Sequence, residues 1–190
     1  MTSIIRPAVV LFLAITVIAG IVYPFVITGI AQVLFPAQAG GSIVMQNGHA
    51  AGSTLIGQPF SDPKYFWSRP SATTPQPYNG TGSTGSNLGP LNPALTDGIK
   101  SRIDALHAAD PTNSAPIPVD LVTASGSGLD PEISVAAAYY QAARVARVRN
   151  VSLESVKALI SSHAHGRALG FLGEPRVNVL ELNLALDQGK

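Results

Sequence analysis

The sequence predicts an α+β domain carried on one N-terminal membrane-spanning helix. Three observations predict it. The run from Pro7 to Phe35 holds no charged residue. A segment rich in Gly, Pro, Ser, Thr and Asn follows it, with short β-prone stretches. The second half of the chain then alternates helix-capping residues with apolar residues at helical spacing.

The N-terminal run, PAVVLFLAITVIAGIVYPFVITGIAQVLF, is 29 residues long, and a bilayer needs about 20. It is apolar on every side, with no polar stripe to face water. Pro24 sits inside it, which membrane helices tolerate better than soluble ones. Tyr23 and Phe35 suit the interfacial layers. The spanning helix is expected over about residues 8–30, within an N-terminal segment 1–35. Residues 36–190 are expected to form the soluble domain. A cleaved signal peptide is the alternative, since Ala37-Gln38-Ala39 fits small-x-small. An apolar signal region is only about 7–15 residues long, so a retained anchor is expected. Gly20, Gly29 and Ala31 offer small surfaces where another helix can approach. Arg6 precedes the run and no Lys or Arg follows until Lys64. The positive-inside rule therefore places the N-terminus in the cytoplasm and the domain outside.

A chain of 190 residues with no cysteine fits one domain with its own core and excludes disulfides and thiolate chemistry. Charged residues make up 12%, against roughly 25% in an ordinary soluble chain. With Arg6 set aside, the remaining basic and acidic residues balance. A neutral domain lacks the dense basic face that nucleic acid requires.

Within 36–190, Ser42–Met45 and Ser53–Ile56 read as short strands. Thr73–Pro93 reads as a long loop. Residues 70–96 carry no charge, which suits either a surface covered by a partner or a mobile tip. Asn92-Pro93 caps a first helix whose Leu95, Ile99, Ile103 and Leu106 share a face, ending at Asp110-Pro111. Val119–Thr123 is a candidate strand. Asp130-Pro131 is expected to cap a second helix through about Arg149, with Ile133, Ala137 and Tyr140 on one face. Ser152 caps a third, with Leu153, Val156, Leu159 and Ile160 inward, ended by Gly166 and Gly170. The tail reads as a short strand running into a helix, with Asn178 and Glu181 at cap spacing.

Few motifs carry chemistry. Ser61-Asp62-Pro63-Lys64 matches S-x-x-K, the nucleophile motif of an exported serine hydrolase, but no K-T-G follows and a turn is the simpler reading. Gly126-Ser127-Gly128-Leu129-Asp130-Pro131 begins like G-x-G-x-x-G with Pro131 in place of the last Gly, and the Gly-Lys-Ser/Thr of the other kind of phosphate loop is absent. Main-chain N–H groups of a helix start there are one way to hold an anion; a plain glycine turn is the other reading. His163 and His165 are two apart, so on a helix they diverge, and no metal site is expected. Arg144 and Arg147 form a basic ridge, with a solvated face as the default. No catalytic residues are expected, which points to an accessory or binding module.

Six blocks in order, GIVYPFVITGIAQVLFPAQAGGS, GSTLIGQPF, YFWSRPSA, GSNLGPLNP, PVDLVTASGSGLDPEIS and GEPRVNVLELNLALD, resemble the KdpC family. Its members are the C subunits of the Kdp potassium-transporting P-type ATPases. The resemblance spans nearly the whole chain and departs from the family pattern at Ser68, Thr84 and Ala142-Ala143. It implies a single-pass protein of the bacterial inner membrane, in contact with lipid. It also implies a complex with a potassium-selecting A subunit, an ATP-hydrolysing B subunit and a small F subunit. Two roles follow from it. One is a non-catalytic subunit that assembles and stabilises the A and B subunits. The other is a catalytic chaperone that raises the B subunit's affinity for ATP through a transient ternary complex. ATP enters by the resemblance alone, with Ser125, Ser127 and Arg144 as weak nucleotide candidates and no tightly bound cofactor. Arg69, Ser71 and Asn87 join Gly20, Gly29 and Ala31 as candidate partner contacts.

Overall fold

The computed structural model describes residues 2–189. The chain divides into two compact units, Met1–Ile43 and Val44–Lys190. In the first, α1 (Thr2–Val17), a π turn (Ile18–Val22) and α2 (Tyr23–Leu34) form one continuous helix. Its stretch Ile4–Leu34 is long and apolar enough to cross a membrane. The π turn has a local cause. Pro24 has no N–H to donate and its ring would strike the carbonyl of residue 20. The turn before it widens, and Tyr23 N–H reaches Ile18 O instead. The Thr16 hydroxyl donates to Phe12 O at 2.8 Å, so this polar group needs no water. A short helix, α3 (Pro36–Ala39), follows.

A hairpin follows, β1 (Ile43–Gln46) and β2 (His49–Ser53), all but its first residue in the second unit. Its two-residue turn is Asn47-Gly48, both at positive φ (51° and 78°), as a type I′ turn demands. The expected first strand is β1, shifted by one residue. The expected second, Ser53–Ile56, is a turn closed by an isolated bridge between those residues. The Asn-Gly pair was the signal that places β2 earlier.

Helix α4 (Pro93–Ala109) starts where expected, its Asn92 side chain accepting from Ala94 N. Of its apolar face only Leu106 is buried, while Leu95, Ile99 and Ile103 are half-covered. Val119–Leu121 is a 3-10 turn rather than a strand. Asp130-Pro131 does not begin a helix. It precedes β3 (Glu132–Ser134), and α5 (Val135–Arg149) is capped by Ser134, whose Oγ accepts from Ala137 N. Asp130 is used otherwise: its carboxylate accepts from Glu132 N and pairs with Arg69 at 2.8 Å. Ile133 is therefore a strand residue, though buried as expected.

Asn150 at φ 54° ends α5, and α6 (Leu153–Ser162) starts on the Ser152 cap. It stops at His163, before Gly166. Val156 and Ile160 face the core, while Leu153 is exposed. Strands β4 (Ala164–His165) and β5 (Arg176–Asn178) follow, then α7 (Val179–Gln188), capped by Asn178 accepting from Glu181 N. The sheet is antiparallel in the order β3-β5-β4, with Ile133 opposite Val177 and Ala164 opposite Val177. Helix α5 packs against β3, β5 and α6, and its Ala137, Ala138, Ala142 and Ala146 are buried in the core. These small side chains allow close approach. The core is completed by Val145, Val156, Ile160, Leu182 and Phe66.

Candidate functional site

Phe66 belongs to no helix or strand, yet it is fully buried. The main chain of residues 63–67 must therefore find partners without a sheet ladder, since a buried unpaired N–H or C=O is costly. Side chains supply them. Asn183 on α7 accepts from Phe66 N at 2.8 Å and donates to Phe66 O at 3.0 Å. Gln141 on α5 accepts from Trp67 N at 2.8 Å and donates to Trp67 O at 3.2 Å. Two amides thus act as the missing neighbouring strand.

Arg144 completes the clamp. It is 2% exposed, so it is no part of a solvated ridge. Its guanidinium donates to Pro63 O, to Tyr65 O at 3.1 Å and to Gln141 Oε1 at 2.7 Å, and it lies 4.7 Å from the Trp67 ring. Burial lowers its pKa to about 10, which leaves it charged at neutral pH. Arg147 turns away to pair with Asp110 at 2.9 Å. Arg149 reaches Asp187 at 2.7 Å and Lys64 O at 2.7 Å, and Tyr65 Oη donates to the other oxygen of Asp187. The clamp residues Gln141 and Asn183 were missed in the sequence. The signal was an amide on a helix face that is otherwise apolar, Asn183 lying one turn from Val179.

The glycine turn holds chain, not an anion. Ser125 Oγ accepts from Gly128 N at 2.9 Å and Ser127 Oγ from Leu129 N at 3.1 Å. Ser127 O accepts from Thr84 N and from Ser83 Oγ, both at 3.0 Å. Ser71 Oγ donates to Gly128 O at 2.6 Å and accepts from Tyr78 N at 2.9 Å. A Cβ on Gly128 would lie 2.6 Å from both Thr73 Cγ2 and Thr84 O, so only glycine fits. The helix that was to offer its N–H groups starts at Val135 instead. There the Asp120 carboxylate already accepts from Ser134 N at 2.7 Å, filling the place of an anion with the chain's own charge. The uncharged loop is accordingly pinned by its own hydroxyls. Thr73 Oγ1 donates to Gln76 O and accepts from Asn79 N.

The other candidates separate. Lys64 pairs with Asp62 at 3.0 Å in an exposed turn. The hydrogen bond to Asp62 raises the Lys64 pKa, so the lysine is held protonated, unfit to deprotonate Ser61. His163 Nδ1 lies 2.9 Å from Leu159 O, and no cluster of metal-ligating residues occurs among the described residues. Asn87 is exposed at φ 52°. A Cβ at Gly20 or Gly29 would meet nothing within 4 Å.

Fold and site define a small α+β domain with one apolar helix, whose buried polar side chains serve its own backbone. Residues 5–188 match the family described as KdpC, the K+-transporting ATPase c chain, and the chain belongs to that family. It is 64% identical over 187 residues to the potassium-transporting ATPase KdpC subunit of Variovorax paradoxus, covering 98% of this chain and 97% of that one. The KdpC subunit of a Janthinobacterium species is 64% identical over 188 residues (99% and 100% of the two chains). That of Methylococcus capsulatus is 62% identical over 182 residues (96% of each).

Proposed function

We propose that this chain is a non-catalytic accessory subunit of an ATP-driven potassium import complex. It assembles and stabilises the potassium-selecting A subunit and the ATP-hydrolysing B subunit beside the small F subunit. In this reading the apolar helix spans the bacterial inner membrane with its N-terminus in the cytoplasm, and the domain lies outside. One observation carries the reading: the polar groups that sequence offered for nucleotide binding, Ser125, Ser127 and Arg144, are all occupied by the chain's own backbone. Arg144 holds Pro63 and Tyr65, and Ser125 and Ser127 hold their own turn. The rival role as a direct ATP-binding chaperone needs those same groups to be free for phosphate. An outward domain also meets essentially no ATP, so any effect on ATP use passes through subunit contacts.

Two measurements test this. The chain has no native cysteine, so single cysteines at the exposed Ser86 and Ser127 can be labelled in intact cells with an impermeant maleimide. Both are expected to react; reaction only after lysis would place the domain inside and remove the argument. A Cβ at Gly20 or Gly29 meets nothing within 4 Å, so the variant Gly20→Leu with Gly29→Leu is expected to insert normally and to lose co-purification of the other subunits. Intact co-purification would show that helix packing does not hold the complex.

A further inference from the structure

The apolar helix carries a gap in its own hydrogen-bond ladder. Pro24 has no N–H, so Gly20 O has lost the donor that an α-helix would give it. Tyr23 N–H, the α-helical donor for Ala19 O, goes to Ile18 O instead. Two adjacent carbonyls are thus without their regular partners, and the turn stays short of an N–H however the remaining donors are shared. Nothing in the chain covers this gap. Residues 4–30 are all exposed, and a Cβ on Gly20 would meet nothing within 4 Å. The helix's own side chains leave it open as well. From Ile4 to Leu34 the side-chain donors are Arg6, Thr16, Tyr23, Thr28 and Gln32. The Thr16 hydroxyl is spent on Phe12 O at 2.8 Å. Thr28 stands about 12 Å along the axis from Gly20, and Arg6 and Gln32 stand farther. The ring of Tyr23 carries its hydroxyl away from the backbone of its own turn.

Depth sets the cost of the gap. Gly20 lies 16 residues beyond Ile4 and 14 before Leu34, about 24 and 21 Å at 1.5 Å per residue. In a hydrocarbon core about 30 Å thick both carbonyls therefore fall near the middle. Tyr23, three residues on, is then inside the span and not at its interface. Acyl chains offer no donor at that depth, and water is excluded from it.

We infer that Ala19 O and Gly20 O accept hydrogen bonds from a neutral hydroxyl or amide side chain on a partner subunit's membrane helix. The inference rests on the assembly reading above, in which this helix spans the bilayer against other subunits. Gly20 has no side chain, so a neighbouring helix can bring a Ser, Thr, Asn or Gln within reach of the carbonyls. Lys or Arg fits less well, because a charge at mid-membrane needs a countercharge and no Asp or Glu occurs from Ile4 to Leu34.

The test supplies the missing donor from within the chain. Tyr23→Thr keeps Pro24 and sets a hydroxyl four residues after Ala19 and three after Gly20. At that spacing Thr donates back to a helix carbonyl, as Thr16 does to Phe12 O. Tyr23→Val has nearly the same shape and no hydroxyl. Each full-length chain is coexpressed with tagged partner subunits, and its retention in the purified complex is measured. Retention of Tyr23→Thr is expected to fall about threefold to tenfold below that of Tyr23→Val. Equal retention of the two, with wild type retained, overturns the inference and leaves the assembly reading standing. A wild-type chain that is not retained removes both. Pro24→Ala is an independent check, because it returns an N–H to Gly20 O. Its thermal midpoint is expected to hold or rise while its retention falls by a similar factor. Undiminished retention overturns the inference, and lost retention with a lowered midpoint assigns Pro24 to folding and overturns it as well.

Discussion

Replacing Arg144 with methionine keeps most of the side chain's length and removes its charge. Two carbonyls, of Pro63 and Tyr65, lose a charged donor. Such bonds contribute about 1.5–3 kcal/mol each, and the Trp67 contact about 2 kcal/mol when desolvated. Against this, burial lowers the guanidinium pKa to about 10, a penalty of about 3 kcal/mol that methionine recovers. The net loss is about 3 kcal/mol. For a chain of this size 1 kcal/mol moves the melting midpoint by about 2–4 °C, so a fall of about 6–12 °C is expected. The assay is thermal unfolding of the full-length chain in detergent, followed by near-ultraviolet circular dichroism, which reads Trp67, the only tryptophan. Loss of the Trp67 signal before global unfolding would show residues 63–67 detaching first. A midpoint unchanged within about 2 °C would refute the clamp, because then the hydrogen bonds would not exceed the cost of burying the charge.

Gly128→Ala places a Cβ 2.6 Å from the Thr84 carbonyl at φ 66°, and backbone cannot yield as a side-chain end does. A loss of about 2–4 kcal/mol is expected in urea unfolding, while Gly126→Ala, with nothing within 4 Å, is expected to be nearly neutral. Equal effects would deny the close approach. The phenols of Tyr65, Tyr78 and Tyr140 have pKa values raised above 10, the first mainly by its bond to Asp187 and the others by burial. A proton held more tightly in the folded state makes stability full below pH 10 and lets it fall as pH climbs through the folded values. Tyr65→Phe is expected to fall less steeply than wild type between pH 9 and about 11, measured as urea midpoints. Identical slopes would remove Tyr65 from the account.

The chain's own pattern determined those features that depend on near neighbours. The charge-free run set the apolar helix, because crossing a membrane needs only length and apolarity. Asn92, Ser152 and Asn178 marked true helix starts, because a cap satisfies N–H groups two or three residues away. The order of blocks from Gly20 onward was enough to reveal the family. Tertiary structure decided the rest. Asp130-Pro131 has the form of a cap, yet Arg69, distant in sequence, draws the carboxylate into an ion pair and the chain continues as β3. Arg144 looks like a surface arginine at its place in α5. Only the return of residues 63–67 across that helix turns it into the donor for carbonyls with no other partner. Gln141 and Asn183 stand out locally only as amides on apolar helix faces, and that does not tell their role, since the backbone they pair with lies 74 and 117 residues away. Hydrogen-bond satisfaction in a buried irregular segment is a long-range condition, so it is settled when the fold closes and not before.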